Sequence, residues 1–145
     1  MAITTAMCTS FKSELLGGVH DLDTHTIKLA LIKNGMSGTY GAATTNYSDV
    51  TGNSDEASGT NYSAGGQNLD GATIAVSSTT AHVDFTDEVF SNVTTSAAGC
   101  IIYNSSASNK AICVIDFGGT VSATAGDLTI EFPAADASNA VIRIA

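Results

Sequence analysis

The first hydrophobic pattern of the chain repeats every four residues close to its start. Its members are Met7, Phe11 and Leu15. This spacing places the three side chains on one face of a helix and predicts a helix over residues 5–16. Thr4 or Thr5 is suited to cap its start. Gly17 and Gly18 are suited to end it, because glycine reaches the left-handed conformation that many helix C-termini adopt.

The rest of the chain shows the two-residue period of β-strands. Residues 26–33 alternate so that Ile27, Leu29 and Leu31 share one side of a strand. After residue 71, short apolar segments follow one another, mostly bounded by Ser, Gly, Asn or Pro. They span 72–76, 81–85, 89–93, 99–104, 110–117, 127–132 and 140–144. This rhythm predicts antiparallel sheets.

Two of these segments indicate which side faces water. The first places Ala81, Val83 and Phe85 opposite His82, Asp84 and Thr86, and the second places Leu128, Ile130 and Phe132 opposite Thr129 and Glu131. One buried and one wet face per sheet predicts an antiparallel β-sandwich.

Segments 99–104 and 110–117 are apolar almost throughout, so we expect central strands joined by a hairpin connection over 104–110. The N-terminal helix is suited to cover one face of this pair, and the C-terminal segment 140–145 to pair within a sheet. A chain of 145 residues is long enough for one hydrophobic core. The prediction is therefore one mainly β domain over 1–145, with a helical segment within 1–18.

Residues 36–68 lack either period and are rich in Gly, Ser, Thr, Asn and Tyr. They predict a long loop on the surface, with short turns. Thr-Asn-Tyr-Ser occurs twice in it, around Tyr47 and Tyr62, and Tyr40 lies nearby. Tyrosines on such a background suit a contact surface, because the ring offers a large area with a polar tip. The alternative is that the rings fold back and pin the loop to the domain.

Charge narrows the range of partners. Asp, Glu, Lys and Arg make up 13% of the chain, and the formal net charge is −9. No basic patch is available for phosphates, so we expect no nucleic-acid partner. No apolar run approaches the roughly 20 residues that span a bilayer, so we expect no membrane partner. The N-terminus does not resemble a secretory signal, which indicates synthesis in a cytoplasm.

Residues able to carry chemistry are present but not in the spacings that chemistry needs. The three cysteines, Cys8, Cys100 and Cys113, contain no CxxC pair, and we expect them to be buried small hydrophobes. The histidines are His20, His25 and His82. They form no HxH or HxxxH pair, so we expect solvated side chains and no metal.

The acidic segments 21–24 and 53–56 do not continue as EF-hands and are interpreted as turns. No GxSxG elbow is present, and the pairs Gly65–Gly66 and Gly118–Gly119 lack the context of phosphate loops and are also interpreted as turns. The sequence predicts no catalytic residue, no cofactor and no enzyme. The alternative to this prediction is a small hydrolase that uses His82 or Asp84.

Several segments together resemble a known group of proteins. The most distinctive are GTNYSAGGQNL, IIYNSS, VIDFGG and IEFPAADASNAVIRI, and the likeness covers nearly the whole chain. They resemble small structural proteins of tailed bacteriophages, and among these most closely the capsid decoration, or cement, proteins.

The resemblance implies a virion protein made in the host cytoplasm and bound in many copies to the head exterior. It implies a homo-oligomer, with a trimer favoured, and the major capsid protein as partner. The candidate contact regions are the N-terminal helix and the loop over 36–68. The candidate contact residues are Phe11, Leu15, Tyr40, Tyr47 and Tyr62. A tail or fibre component that binds a host-surface receptor through the tyrosine-containing loop is the alternative.

Overall fold

The computed structural model describes residues 1–145 and is mainly β, with 47% of residues in strands and 11% in helices. The strands are β1 (Ala2–Ile3), β2 (Ala6–Met7), β3 (Ile27–Ile32), β4 (Thr39–Tyr40), β5 (Gln67–Asn68), β6 (Thr73–Ser77), β7 (Thr80–Asp84), β8 (Glu88–Asn104), β9 (Lys110–Ile130) and β10 (Ile142–Ile144). The helices are α1 (Thr9–Leu16) and α2 (Ser48–Gly52). The strands form two antiparallel sheets and one short parallel pair, β1 with β4.

The larger sheet has five strands in the order β2-β9-β8-β3-β5. Its centre is formed by the segments that the sequence marks as apolar on both faces. Ile101, Ile102, Ile112 and Val114 are fully buried, and a 3₁₀ turn over Ser105–Ala107 joins the two strands. The prediction of two central, hairpin-connected strands is confirmed. In β3, both Leu31 and its neighbour Ile32 are buried, so this strand is covered on both faces and not on one.

β8 and β9 are much longer than predicted. The segments 89–93 and 99–104 are parts of one strand, as are 110–117 and 127–132. The pair Gly118–Gly119 therefore lies inside β9, and its interpretation as a turn is wrong. Irregular residues shift the register in which β8 pairs with β9. The ribbon that these two strands form bends at the shifts, but both strands continue. Asn92 and Ala125 have positive φ within this ribbon.

The smaller sheet has the order β10-β7-β6 and is antiparallel throughout. β6 and β7 form a hairpin in which Ser77 pairs with Thr80. The C-terminal strand β10 pairs with β7, so of the segment 140–145 predicted to pair in a sheet, Ile142–Ile144 do so.

The N-terminal helix is shorter than predicted. α1 begins at Thr9, with Cys8 at its N-cap, so neither Thr4 nor Thr5 caps it. Met7 lies in β2, opposite Cys113 of β9. Residues 6–7 extend the sheet instead of adding a turn of helix, because the edge of β9 offers them backbone partners. The helix does end at Gly17, as predicted.

The segment 36–68 contains three short elements, β4, α2 and β5. α2 is a second helix, which the sequence did not predict. Isolated bridges tie the segment to the sheet, pairing Glu56 with Ile32, Asn46 with Lys110 and Thr60 with Thr94.

One cluster of 29 buried side chains forms the hydrophobic core. It includes residues of both sheets, of α1 and of α2. All three cysteines are buried and free, as predicted. Burial raises the pKa of the Cys8 and Cys100 thiols to about 12, because the thiolate loses its hydration.

Candidate functional site

An apolar groove lies between α1 and the three-stranded sheet. One part of it, of about 430 Å³, is lined by Leu15, Leu22, Ile74, Val83 and Ile142, among others. A second part, of about 390 Å³, lies beside α1. Leu15 and Ile144 line both parts, so we treat them as one groove.

The local sequence explains why the groove is open. Phe11 turns into the core and is fully buried, Leu15 is half-buried, and Leu16 follows it onto the outer side of the helix, where it is 91% exposed. In the sheet, Ile74 and Ile144 are 54% and 52% exposed. Exposed apolar side chains grouped along one groove mark a candidate interaction site.

Two cations border the groove beside Leu16. Lys12 and Arg143 line its second part, and neither forms an ion pair within the chain, but Nη1 of Arg143 donates a hydrogen bond to the Ala137 carbonyl over 3.3 Å. By contrast, Lys33 lies 3.3 Å from Asp55, and Lys110 lies 3.0 Å from Glu14. In a chain with 14 acidic residues, the part of the groove beside these two cations suits an apolar segment that carries negative charge, whereas the other part is also lined by Asp21.

The loop tyrosines bond inward. Tyr47 and Tyr62 both donate hydrogen bonds to the Glu56 carboxylate, and the Gly65 amide donates to it over 2.7 Å. Tyr47 stacks on Tyr103 with ring centroids 4.5 Å apart. Burial, together with the nearby Glu56 charge, raises the pKa of Tyr47 and of Tyr62. The two Thr-Asn-Tyr-Ser segments therefore hold the loop on the domain.

Tyr40 lies deeper and reaches a buried carboxylate. It is 2% exposed, and its phenol donates to Oδ2 of Asp55 over 2.6 Å. The amides of Ser37 and Gly38 donate to the same carboxylate at 3.0 and 2.8 Å. Burial alone would raise the pKa of Asp55, but these hydrogen bonds and the Lys33 ammonium outweigh it and hold the pKa well below its usual range.

Of the five candidate contact residues, Phe11 and Tyr40 thus lie in the core and offer no surface to a partner. Leu15, Tyr47 and Tyr62 keep partial exposure. Only Leu15 lines the groove, whose most exposed members are side chains that the sequence analysis did not select. Leu16 was missed because it lies just outside the four-residue repeat, which follows the buried face of the helix.

The histidines are less exposed than predicted. His20 is 6% exposed, its ring lies 4.9 Å from that of Phe11, and its Nε2 contacts Glu14 at 3.2 Å. Asn104 Nδ2 donates to Nδ1 of His20 at 3.0 Å and of His25 at 2.9 Å, which places the His20 proton on Nε2.

The expectation of a solvated His82 is wrong, since this residue is 5% exposed. β7 is the central strand of its sheet, so β6 and β10 crowd the ring from both sides, with Ala75 and Arg143 as its register partners. Nε2 of His82 contacts Ser77 Oγ at 3.0 Å, and Nδ1 is buried without a partner.

The acidic turns differ from each other. Asp21 accepts hydrogen bonds from the amides of Asp23 and Thr24 and from the Thr24 hydroxyl, which confirms the turn interpretation of 21–24. In segment 53–56, the carboxylates of Asp55 and Glu56 instead accept the hydrogen bonds of the loop tyrosines described above. Asp55 does so in a buried position and Glu56 in a half-buried one. No group of three or more His, Cys, Asp or Glu side chains lies close enough to hold a metal ion. Neither helix is long and apolar enough to cross a membrane.

Comparison with protein-family models, with curated proteins and with solved structures found no match to this chain.

Proposed function

We propose that the chain is a structural protein of a tailed-bacteriophage virion that decorates the capsid exterior and stabilises the head. The apolar groove between α1 and the three-stranded sheet carries the proposal, because it is an open apolar surface with nothing of its own chain to cover it. The resemblance of the sequence to phage decoration proteins supplies the biological setting. In this setting the groove receives a segment of the major capsid protein.

The groove sets the chemistry of that segment. Leu16, Ile74 and Ile144 offer apolar contact, while Lys12 and Arg143 attract carboxylates. We expect a capsid segment with a large apolar side chain next to acidic residues. An outer position also suits the net charge of −9, because packaged DNA repels an acidic protein.

The mechanism is mechanical. Each copy bridges neighbouring capsid subunits, so internal pressure must break additional contacts before the shell opens. Because many copies act on one particle, a modest affinity per copy adds up to a large stabilisation. In this role the chain needs no catalytic residue.

For the fold, we propose that the five-stranded and three-stranded sheets are the two layers of an antiparallel sandwich. Val83 and Ile142 of the smaller sheet belong to the same core cluster as Leu29 and Leu31 of the larger one, which supports this arrangement. The segment 36–68 would then run along the outside of the larger sheet, held there by the Glu56 network.

A tail or fibre protein that binds a receptor through the loop tyrosines has less support. The phenols of Tyr40, Tyr47 and Tyr62 are engaged by Asp55 and Glu56, so their polar tips are not free for a glycan.

The test uses capsids of the phage that encodes the chain, prepared without the protein, and adds back purified variants. Leu16→Gln combined with Ile144→Thr removes apolar contact from the groove without changing the charge. We expect binding at least tenfold weaker than that of the natural protein. Val89→Thr is the matched control, because Val89 is a 40% exposed valine on β8 that does not line the groove.

Binding of the natural protein at full occupancy of its sites on the shell, measured by cryo-electron microscopy, supports the proposal. Absence of binding to the shell contradicts it. Binding that survives the double substitution would place the contact elsewhere and contradict the role of the groove, whatever the effect of Val89→Thr.

A further inference from the structure

We propose that β6 is a self-association edge, which pairs antiparallel with β6 of a second copy across a two-fold axis that passes beside Ala75. The contact joins the three-stranded sheets of two copies into one six-stranded sheet. It goes beyond the decoration role and does not depend on a capsid, because it forms between copies in solution. It gives a dimer, where the phage resemblance implies a trimer.

β6 is an edge strand without protection. The strands that end the two sheets are β2 and β5, with two residues each, β10, with three, and β6, with five. Edges are usually blunted by charged residues, proline, bulges or short length. β10 carries Arg143, whereas Thr73–Ser77 contains neither charge nor proline and pairs with β7 without a bulge.

The hairpin fixes which backbone groups point outward. Two residues separate Ser77 from Thr80, so this closing pair exchanges hydrogen bonds, and hydrogen-bonded pairs then alternate along the ladder. Ala75 with His82 is the next hydrogen-bonded pair. The N–H and C=O groups of Ile74 and Val76 therefore point away from β7, towards the free edge.

The strand is complementary to itself in this register. Its sequence, Thr-Ile-Ala-Val-Ser, has the same chemical order in both directions: polar, β-branched, small, β-branched, polar. With Ala75 opposite Ala75 of the second copy, Ile74 lies opposite Val76 of that copy. The two residues then form a hydrogen-bonded pair with two bonds, and the symmetry-related pair adds two more, so four backbone hydrogen bonds join the copies. Cross-strand β-branched pairs of this kind stabilise sheets.

Exposure and charge favour a second copy as the occupant. Ile74 and Val76 lie on one face and are 54% and 70% exposed. The chain carries a net charge of −9, but residues 71–83 contain no Asp, Glu, Lys or Arg, so two copies can approach there without placing carboxylates opposite each other. Five residues of edge offer less than the about 800 Å² per partner of a standard interface, so we expect a weak dimer.

Disulfide cross-linking tests the register. The native cysteines are buried, so Ala75→Cys adds the only accessible thiol. In the proposed pairing, the two Cβ atoms at position 75 lie opposite each other in a non-hydrogen-bonded pair, close enough for a disulfide. Thr73→Cys is the control, because two copies of residue 73 lie about 13 Å apart in this register. We expect oxidation to give dimers at least tenfold faster for Ala75→Cys than for Thr73→Cys.

Sedimentation equilibrium of the natural protein tests the dimer directly, and Ile74→Lys tests the edge. We expect reversible dimerisation, with Ile74→Lys weakening it at least tenfold while circular dichroism stays unchanged. If Ala75→Cys does not fold, a mixture of Thr73→Cys and Ser77→Cys replaces it, and we expect disulfides between the two variants only.

A natural protein that stays monomeric up to about 1 mM, where a contact of about 4 kcal/mol would be detected, overturns the proposal. Trimers that survive Ile74→Lys, or equal cross-linking at positions 73 and 75, also overturn it. Ile74 also lines the groove, so Ile74→Lys is used only for self-association in solution. Capsid binding is measured separately with Leu16→Gln and Ile144→Thr, so the two proposals can fail independently.

Discussion

The phenol of Tyr40 donates a hydrogen bond over 2.6 Å to a carboxylate oxygen of Asp55, and both side chains are almost completely excluded from solvent. Asp55 is therefore a buried anion whose charge is balanced by named donors. Tyr40 and Asp55 lie 15 residues apart within the segment that the sequence marks as a loop. Their contact closes the first half of this segment into a loop, and the ion pair of Asp55 with Lys33 at 3.3 Å ties that loop to the end of β3.

The first prediction concerns the charge of Asp55. Asp55→Asn leaves Lys33 without its ion partner and weakens the bonds from Ser37 and Gly38, so we expect it to lower the free energy of unfolding by about 3 kcal/mol. Urea denaturation followed by circular dichroism measures the change. Asp23→Asn is the control, since Asp23 is exposed and its carboxylate forms no hydrogen bond or ion pair within the chain, and it should change stability by less than about 0.5 kcal/mol.

The second prediction is a loss of stability in acid. The pKa of Asp55 is lower in the folded protein than in the unfolded chain, so its stabilising effect is fully present above the unfolded pKa of about 4. The effect declines as the pH falls through the range between the two pKa values. We expect the unfolding free energy of the natural protein to fall below pH 4 more steeply than that of Asp55→Asn. Parallel pH profiles for the two proteins would contradict the assignment.

The third prediction concerns Glu56, which accepts hydrogen bonds from Tyr47, Tyr62 and the Gly65 amide. Glu56→Ala leaves these donors unpaired in a partly buried site, and we expect a loss of about 2–4 kcal/mol. Hydrogen exchange should increase most in residues 57–66. Glu131→Ala, at an exposed position, is the matched control and should leave exchange in that segment unchanged.

The fourth prediction is an abnormal alkaline titration. All four tyrosines have raised pKa values, with Tyr40 and Tyr103 raised to about 12, mainly because burial disfavours the phenolate. Their contribution to stability is present below the unfolded pKa of about 10 and declines as the pH rises towards the folded values. Ultraviolet absorbance should show no phenolate near pH 10 in the folded protein. One tyrosine titrating there would show that a ring is free of the domain.

The fifth prediction concerns a close approach of two backbones. Gly66 has φ of 73°, and a Cβ at this position would overlap the backbone carbonyl of Leu29 in β3. Gly66→Ala must therefore displace β5 from the sheet, and we expect a loss of at least about 2 kcal/mol. Gly119→Ala is the control, because a Cβ there meets no atom within 4 Å and φ is not positive. Thermal unfolding of the two variants checks the difference.

Much of the architecture follows from local periodicity. The alternation of apolar residues predicts β3, β6, β7 and the C-terminal strand, and continuous apolarity predicts the two central strands. The burial of Cys8, Cys100 and Cys113 also follows from their type and surroundings. These predictions succeed because the direction of a side chain from a strand depends on the local backbone alone.

Other features depend on which segments meet in space. The sequence divides β8 and β9 into separate strands, because Gly, Ser and Thr end isolated strands, whereas pairing along the whole ribbon keeps them extended. His82 lies at a position that alternation assigns to water, yet its two neighbouring strands enclose it. Asp55 and Glu56 resemble a surface turn until the tyrosines fold onto them.

The amino-acid pattern is enough to predict a mainly β chain with an N-terminal helix, central apolar strands and buried cysteines. The open apolar surface at the groove bordered by Leu16 and Ile144, and the free edge of β6, are visible only once the segments are packed together. Hydrophobic periodicity records which side chains can be buried. Whether a given side chain is covered depends on the other segments that pack against it.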